Sequence, residues 1–169
     1  AWLAIPPAFG NTGFYYSLLL FPLATITILS FYLVSENETL LTIFFGLFTL
    51  NLAITFSFAR KMTKQMAVSN VITKVLQQFA EQLKEIEKES FQSSLLQKLK
   101  SRLRHGAISA SQSIQGLASL FKYLDFILNL VVSVFLNGFF LFHIHVLFVL
   151  DKWKKKNANN VMNWLEVIG

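Results

Sequence analysis

The sequence predicts an all-α protein, an N-terminal two-span transmembrane helical hairpin followed by a cytoplasmic bundle of long helices. Three observations predict it. No charge appears from residue 1 to residue 35. Two apolar runs of membrane-crossing length are separated only by "SENET", residues 35–39. Beyond Arg60, apolar residues recur at the three- and four-residue steps of a helix, and no segment alternates like a strand.

Composition agrees. The 169 residues are 54% hydrophobic and 14% charged, with 18 Phe, too apolar for an ordinary soluble domain. The absence of cysteine excludes disulfides and thiolate metal sites. A net charge of +6 fits basic flanks on an anionic membrane surface; a nucleic-acid footprint is the sharper alternative.

The hairpin, residues 1–60, comes first. Residues 14–34 supply 21 mostly apolar residues, enough at 1.5 Å per residue to cross about 30 Å of hydrocarbon. Pro22 is tolerable there, since neighbouring helices can satisfy a freed carbonyl. Residues 40–59 form a second span containing Gly46 and Asn51. The connecting loop carries Glu36 and Glu38 and no Lys or Arg, whereas Arg60, Lys61 and Lys64 follow the second span at once. The positive-inside rule puts the loop outside and everything after residue 60 in the cytoplasm.

Residues 61–169 read as amphipathic helices. Val68, Ile72, Val75, Phe79, Leu83 and Ile86 form the stripe of one long helix, continuous with the second span. A second helix starts at the N-cap Ser93 and buries Leu95, Leu96, Leu99 and Leu103. His105-Gly106 stops it. Ser109-x-x-Gln112 fits a capping box opening a third helix, whose stripe Ile114, Leu117, Leu120, Phe121, Leu124 and Leu128 runs on into residues 126–150. The basic "DKWKKKNANN" then breaks the pattern, and Asn160 caps a short final helix with Val161, Trp164, Leu165 and Ile168 on one face.

Residues 126–150 are uncharged and long enough to be a third span. By insertion energetics they would pass. Against a crossing stand the polar stripe Asp125, Asn129, Ser133 and Asn137, and the export of Lys152, Lys154, Lys155 and Lys156 that it would require. The topology argument is independent of hydropathy, so the expectation is a core helix buried in protein.

Chemistry-bearing motifs are scarce. His143 and His145 are two residues apart and diverge on a helix, which leaves them as core histidines and not a metal pair. No catalytic, cofactor-binding or metal-ligating set is recognisable, and no phosphate-binding loop occurs. Phe79-Ala80-Glu81 lies on an amphipathic helix with Phe79 on its apolar stripe. Lys98, Lys100, Arg102 and Arg104 form a basic run, the candidate DNA contact of the chain; a solvated helix face is the commoner meaning of such a run.

Three stretches carry a resemblance. "EIEKESFQSSLLQKLKSRL", then "ASQSIQGLASLFKYLDFILNLVVSVFLNGFFLF", then "VLDKWKKKNANNVMNWLEVIG" resemble, in this order, the helical core and lever region of the bacterial DNA mismatch repair MutS family. The likeness is to a membrane-anchored branch with two N-terminal spans. It rests on Leu124, Asp125 and Asn129, on Leu136, Asn137 and Gly138, on Lys152, Trp153 and Lys154, and on Trp164, Leu165, Ile168 and Gly169. It covers about residues 50–169. Ile127 stands where the family pattern has Arg, Asp151 where it has Glu, and Phe142-His143 where it has an aromatic followed by Asp.

The resemblance implies a fragment of a membrane-tethered, DNA-binding ATPase, a homodimer when intact, whose levers couple nucleotide state to DNA. The chain opens without an initiator Met and closes inside an apolar pattern, so a longer protein is the expectation. Its ATP and Mg²⁺ would be held beyond Gly169, and the fragment itself would not be an enzyme. The alternative is a three-span membrane scaffold or sensor protein with a cytoplasmic helical hairpin.

Overall fold

The computed structural model describes residues 5–66, 69–105, 108–124 and 129–168. Val68, Gly106, Asp125, Ile127, Leu128 and Gly169, which figure in the sequence reading, lie outside them. Apart from connecting segments and one short antiparallel strand pair, the described residues are helical, as the fold class predicts.

The first span is built from α1 (Thr12–Leu18) and α2 (Leu20–Ser35), and the second is α3 (Glu38–Ser57). Asn11 opens α1 by accepting the Gly13 amide at 2.7 Å. The chain breaks step at Leu19, which puts Pro22 in the first turn of α2. The amide that proline lacks has no intrahelical partner there, so its loss is harmless. Glu36 closes α2 in the left-handed conformation (φ 51°), and Asn37 opens α3 by accepting the Thr39 amide at 2.9 Å. Inside the spans the hydroxyls of Thr25, Ser30 and Thr42 donate to carbonyls one turn back, which removes them from competition for water that a bilayer does not hold. Thr12–Ser35 and Glu38–Ser57 are each long and apolar enough to cross a membrane.

The chain leaves α3 through Phe58 into α4 (Ala59–Met66), and α5 (Ser69–Lys88) follows. A short α6 (Ser94–Ser101) and the pair β1 (Arg104–His105) and β2 (Ile108–Ser109) return it to α7 (Ala110–Leu124), which packs antiparallel on α5. Ser109 and Gln112 form the expected capping box, each side chain accepting the other's amide at 3.3–3.4 Å. Glu87 of α5 then accepts from both the amide and the hydroxyl of Ser111 at 3.1 and 2.5 Å, which sets the register of the pair. The α7 stripe is buried as its spacing predicts: Ile114, Leu117, Phe121 and Leu124 are all closed to solvent, against Leu83 and Ala80 of α5 at one end and Leu76 at the other.

Two stripes are less complete than their spacing suggests. Val75 of α5 is exposed, as are Leu95 and Leu96 of α6; Leu103, beyond the end of α6, is buried in the α5–α7 core. Ser93 does occupy the N-cap of α6, without a side-chain bond.

Residues 126–150 depart most from expectation. The described part, residues 129–150, is not one helix. Asn129 starts a separate α8 (Leu130–Phe140) with its side chain on the Val132 amide at 3.1 Å. Leu141 then turns left-handed (φ 50°), and α9 (Phe142–Ile168) leaves at 79° to α8. The two halves of the stretch have different neighbours. Beyond the bend, Leu141, Ile144, Leu147 and Leu150 are fully buried. Before it, α8 lies on α3 and α2 with Leu130 76% and Phe135 59% exposed. The "DKWKKKNANN" run makes no break either: α9 passes through it, so Asn160 is a mid-helix residue and not a cap. Period and hydropathy are blind to such a bend, because both halves are apolar.

Gly138 is where α8 meets α3. A Cβ there would overlap the Phe48 ring. Gly138→Ala is therefore expected to destabilise the protein in detergent by about 1–3 kcal/mol, despite the better helix propensity of Ala. Adding Phe48→Ala should recover part of that loss, read from thermal unfolding. A Gly138→Ala variant as stable as the parent would contradict this packing.

Candidate functional site

Among the described residues, two polar clusters join the membrane hairpin and the N-terminal segment to α8 and α9. The first lies within the membrane hairpin. Asn51 of α3 is fully buried and donates through Nδ2 to Thr25 Oγ1 of α2 at 2.9 Å and to the Gly138 carbonyl of α8 at 2.8 Å. Its neighbour in the joint is Asn137, whose Nδ2 donates to the Ser133 carbonyl at 2.7 Å and whose Oδ1 accepts the His143 amide at 3.0 Å. Asn137 Nδ2 also sits 2.6 Å from His143 Nδ1. One side chain thus caps the start of α9 across the Leu141 turn and ties the two helices at their bend. Of the expected polar stripe, Ser133 and Asn137 act together here, and Asn129 is a cap.

The second joint is a clasp on the N-terminal segment, residues 5–11. Asp151 Oδ2 of α9 accepts the Phe9 amide at 2.9 Å; Lys61 of α4 donates to the Ala8 carbonyl at 2.6 Å, and Lys154 of α9 to the Ile5 carbonyl at 3.3 Å. The Phe9 ring stacks on Phe58 and meets Tyr15 and Phe148 edge-on, while Tyr15 stacks on Phe148 with centroids 3.5 Å apart. Tyr15 OH pairs with His145 Nδ1 at 2.6 Å. His143 and His145 therefore diverge as predicted, each into its own joint. Lys152 covers the Phe148 ring at 4.8 Å, so only part of the lysine run is free helix surface.

Burial raises the Asp151 carboxyl above the ordinary carboxylate value, opposed by the Phe9 and Ala8 amides and the charges of Lys154 and Lys61. Burial also lowers the Lys154 ammonium, opposed by Asp151. Asp151 Oδ1 is buried with no hydrogen-bond partner among the described residues.

The far end of α9 enters the helical bundle. Trp153 Nε1 donates to the Ser113 carbonyl of α7 at 3.1 Å, and Trp164 is buried with Leu83, Leu103 and Ile114. Leu165 and Ile168 lie on described backbone, but their side chains are not described. The basic run is dispersed. Lys98 and Lys100 are on α6, Arg102 follows its end and Arg104 lies in β1. Lys98 and Arg102 are exposed, whereas Lys100 donates to the Glu89 carbonyl at 2.6 Å. Phe79 is packed on the α5–α7 core, and Glu81 is exposed.

Sequence reading missed the clasp altogether. An uncharged opening segment looks like the approach to a span, and its partners Lys61 and Asp151 are 53 and 142 residues from their contacts. The available signal was an Asp bordering an apolar run. Among the described residues, no group of His, Asp and Glu is placed to hold a metal ion. No protein-family model, curated protein or solved structure matches the chain.

The clasp has a pH dependence with a definite sign. A carboxyl whose folded-state pKa is raised is favoured as the acid, so its penalty is absent at low pH. The penalty grows as pH climbs from about 4, the ordinary Asp value, through the raised folded value. Asp151→Asn is expected to raise the thermal stability of the detergent-solubilised protein at pH 7 and leave it little changed at pH 4. An equal effect at both pH values would contradict this.

Proposed function

We propose that the chain is the membrane anchor and core/lever scaffold of a MutS-like, DNA-binding ATPase, in which α9 carries motion between the membrane hairpin and the helical bundle. The observation that carries the reading is where the pattern residues fall. Asn137 ties the α8–α9 bend, Gly138 seats α8 on Asn51 and Phe48, Trp153 binds α7, Lys154 holds the N-terminal segment, and Trp164 fills the bundle core. Pattern residues at the bend, in the clasp and in the bundle core fit α9 as an element that moves as a unit. At 27 residues α9 is about 40 Å long, a suitable length for a lever.

In this reading the protein lies in the bacterial inner membrane with residues after 60 in the cytoplasm, acts as a homodimer when intact, and binds ATP and Mg²⁺ in a part beyond Gly169. The protein made from its whole gene is expected to bind Mg·ATP and to hydrolyse it faster with duplex DNA. Failure to bind ATP would overturn the proposal. It would favour the membrane scaffold or sensor, a reading that draws on the packing of α8 against α2 and α3. Reporters fused after Asn37 and after Asn157 should lie on opposite sides of the membrane; the same side for both would refute the orientation.

Residues 1–169 alone are expected to bind duplex DNA weakly, with affinity falling steeply as salt rises. Changing Lys98, Lys100, Arg102 and Arg104 together to Gln should remove most of that binding while keeping α6, since at residues 98 and 100 Gln has a helix propensity similar to that of Lys. Tight, salt-insensitive binding in a filter or anisotropy titration would contradict this.

A further inference from the structure

We propose that α8 is a third membrane element: it enters the hydrocarbon beside α3, does not cross, and leaves on the side from which it entered, with its outer face against lipid acyl chains. The inference rests on the two-span hairpin and is independent of the lever reading.

Depth is the first argument. Phe139 meets the rings of Phe44 and Phe48 at 5.9 and 5.3 Å, and Gly138 bonds Asn51. Phe48 is ten residues from Glu38 and nine from Ser57 in α3, roughly 15 Å from either end. Whichever way the hairpin is oriented, a helix touching Phe48 shares the middle of the slab that α3 spans.

Length and direction exclude a crossing. The 11 residues of α8 extend about 16 Å, half of a hydrocarbon core of about 30 Å. Its first residue, Leu130, shares a groove with Phe56, Ala59 and Met62 at the Arg60 end of the hairpin. Beyond the 79° bend, Leu141, Ile144 and Leu147 cluster with Phe58 and Met62 at that same end, and Asp151 is on Phe9. Entry and exit are on one side.

The outer face fits hydrocarbon and nothing polar. Leu130, Val131, Phe135 and Phe140 of α8 are exposed and apolar, as are Phe45 and Phe56 of α3. The groove between α3, α4 and α8, about 530 Å³ and mostly apolar, is lined in part by exposed Phe56 and Leu130. The polar groups face inward instead. Asn137 serves the backbone at the bend and Asn51 takes the Gly138 carbonyl, as a broken helix in a bilayer requires.

The chain has no cysteine, so single replacements report cleanly, and the positions chosen are exposed. In right-side-out and inverted vesicles, Ser93→Cys and Lys156→Cys should react with an impermeant maleimide from the same side, and Asn37→Cys from the other. Phe135→Cys should lose labelling from both sides. Tagged with membrane-permeant bimane, it should be quenched by phospholipids bearing acyl-chain nitroxides more strongly than Lys156→Cys. Labelling of Ser93→Cys and Lys156→Cys from opposite sides would mean a crossing and overturn the proposal. So would aqueous labelling of Phe135→Cys, and so would a shielded Phe135→Cys that lipid nitroxides fail to quench, since protein would then cover the face.

Discussion

The amide of Asn51 is the constraint from which the rest of the arrangement follows. The amide hydrogens of a carboxamide inside an apolar span have no water to bond, so Nδ2 must find acceptors within the protein, although Oδ1 has no partner among the described residues. The two donated bonds go to different helices, Thr25 of α2 and the Gly138 carbonyl of α8. That fixes the register of the hairpin and calls a third helix to its flank. Close approach follows, and it leaves no room for a Cβ at residue 138. Small residues at helix contacts in membranes serve this purpose generally.

Once α8 is seated, the direction of α9 is set by one turn. Leu141 adopts a left-handed backbone, and Asn137 bonds across it to His143, so the 79° bend is held by a side chain as well as by packing. From there α9 is an uninterrupted helix with both ends anchored, the near end by the clasp on residues 5–11 and the far end by Trp164 in the bundle core. The clasp joins α4, α9 and the opening segment through charged groups near the point where the hairpin ends. Its Asp151 carries a desolvation penalty that its partners only partly offset.

The parts of the fold legible in the sequence are those with a local signal. Both spans, the turn at residues 35–39, the capping box at Ser109 and Gln112 and the buried stripe of α7 follow from hydropathy, period and capping chemistry. What the sequence hides is nonlocal. Residues 126–150 are uncharged and mostly apolar, so neither hydropathy nor period marks Leu141 as a bend, and the choice between span and core helix treated the stretch as one helix. The lysines after Asp151 look like a helix end, yet their stems and charges are used on α9, by Phe148 and the Ile5 carbonyl. Asn51 was visible as a polar residue in a span, but the identity of its partners, 26 and 87 residues away, was not. The basic run from Lys98 to Arg104 appeared as one feature in the sequence and is dispersed over a helix, its end and a strand.

The most direct measurement of the central claim is amide hydrogen exchange on Asn51→Leu in nanodiscs. Leu keeps α3 apolar, so insertion of the hairpin is preserved, while the two bonds to Thr25 and Gly138 are lost. Faster exchange is expected across residues 130–141, where α8 is released from α3, with little change in the α5–α7 pair. Unchanged protection of α8 in the variant would contradict this, because the helix would then be held by something other than the Asn51 joint.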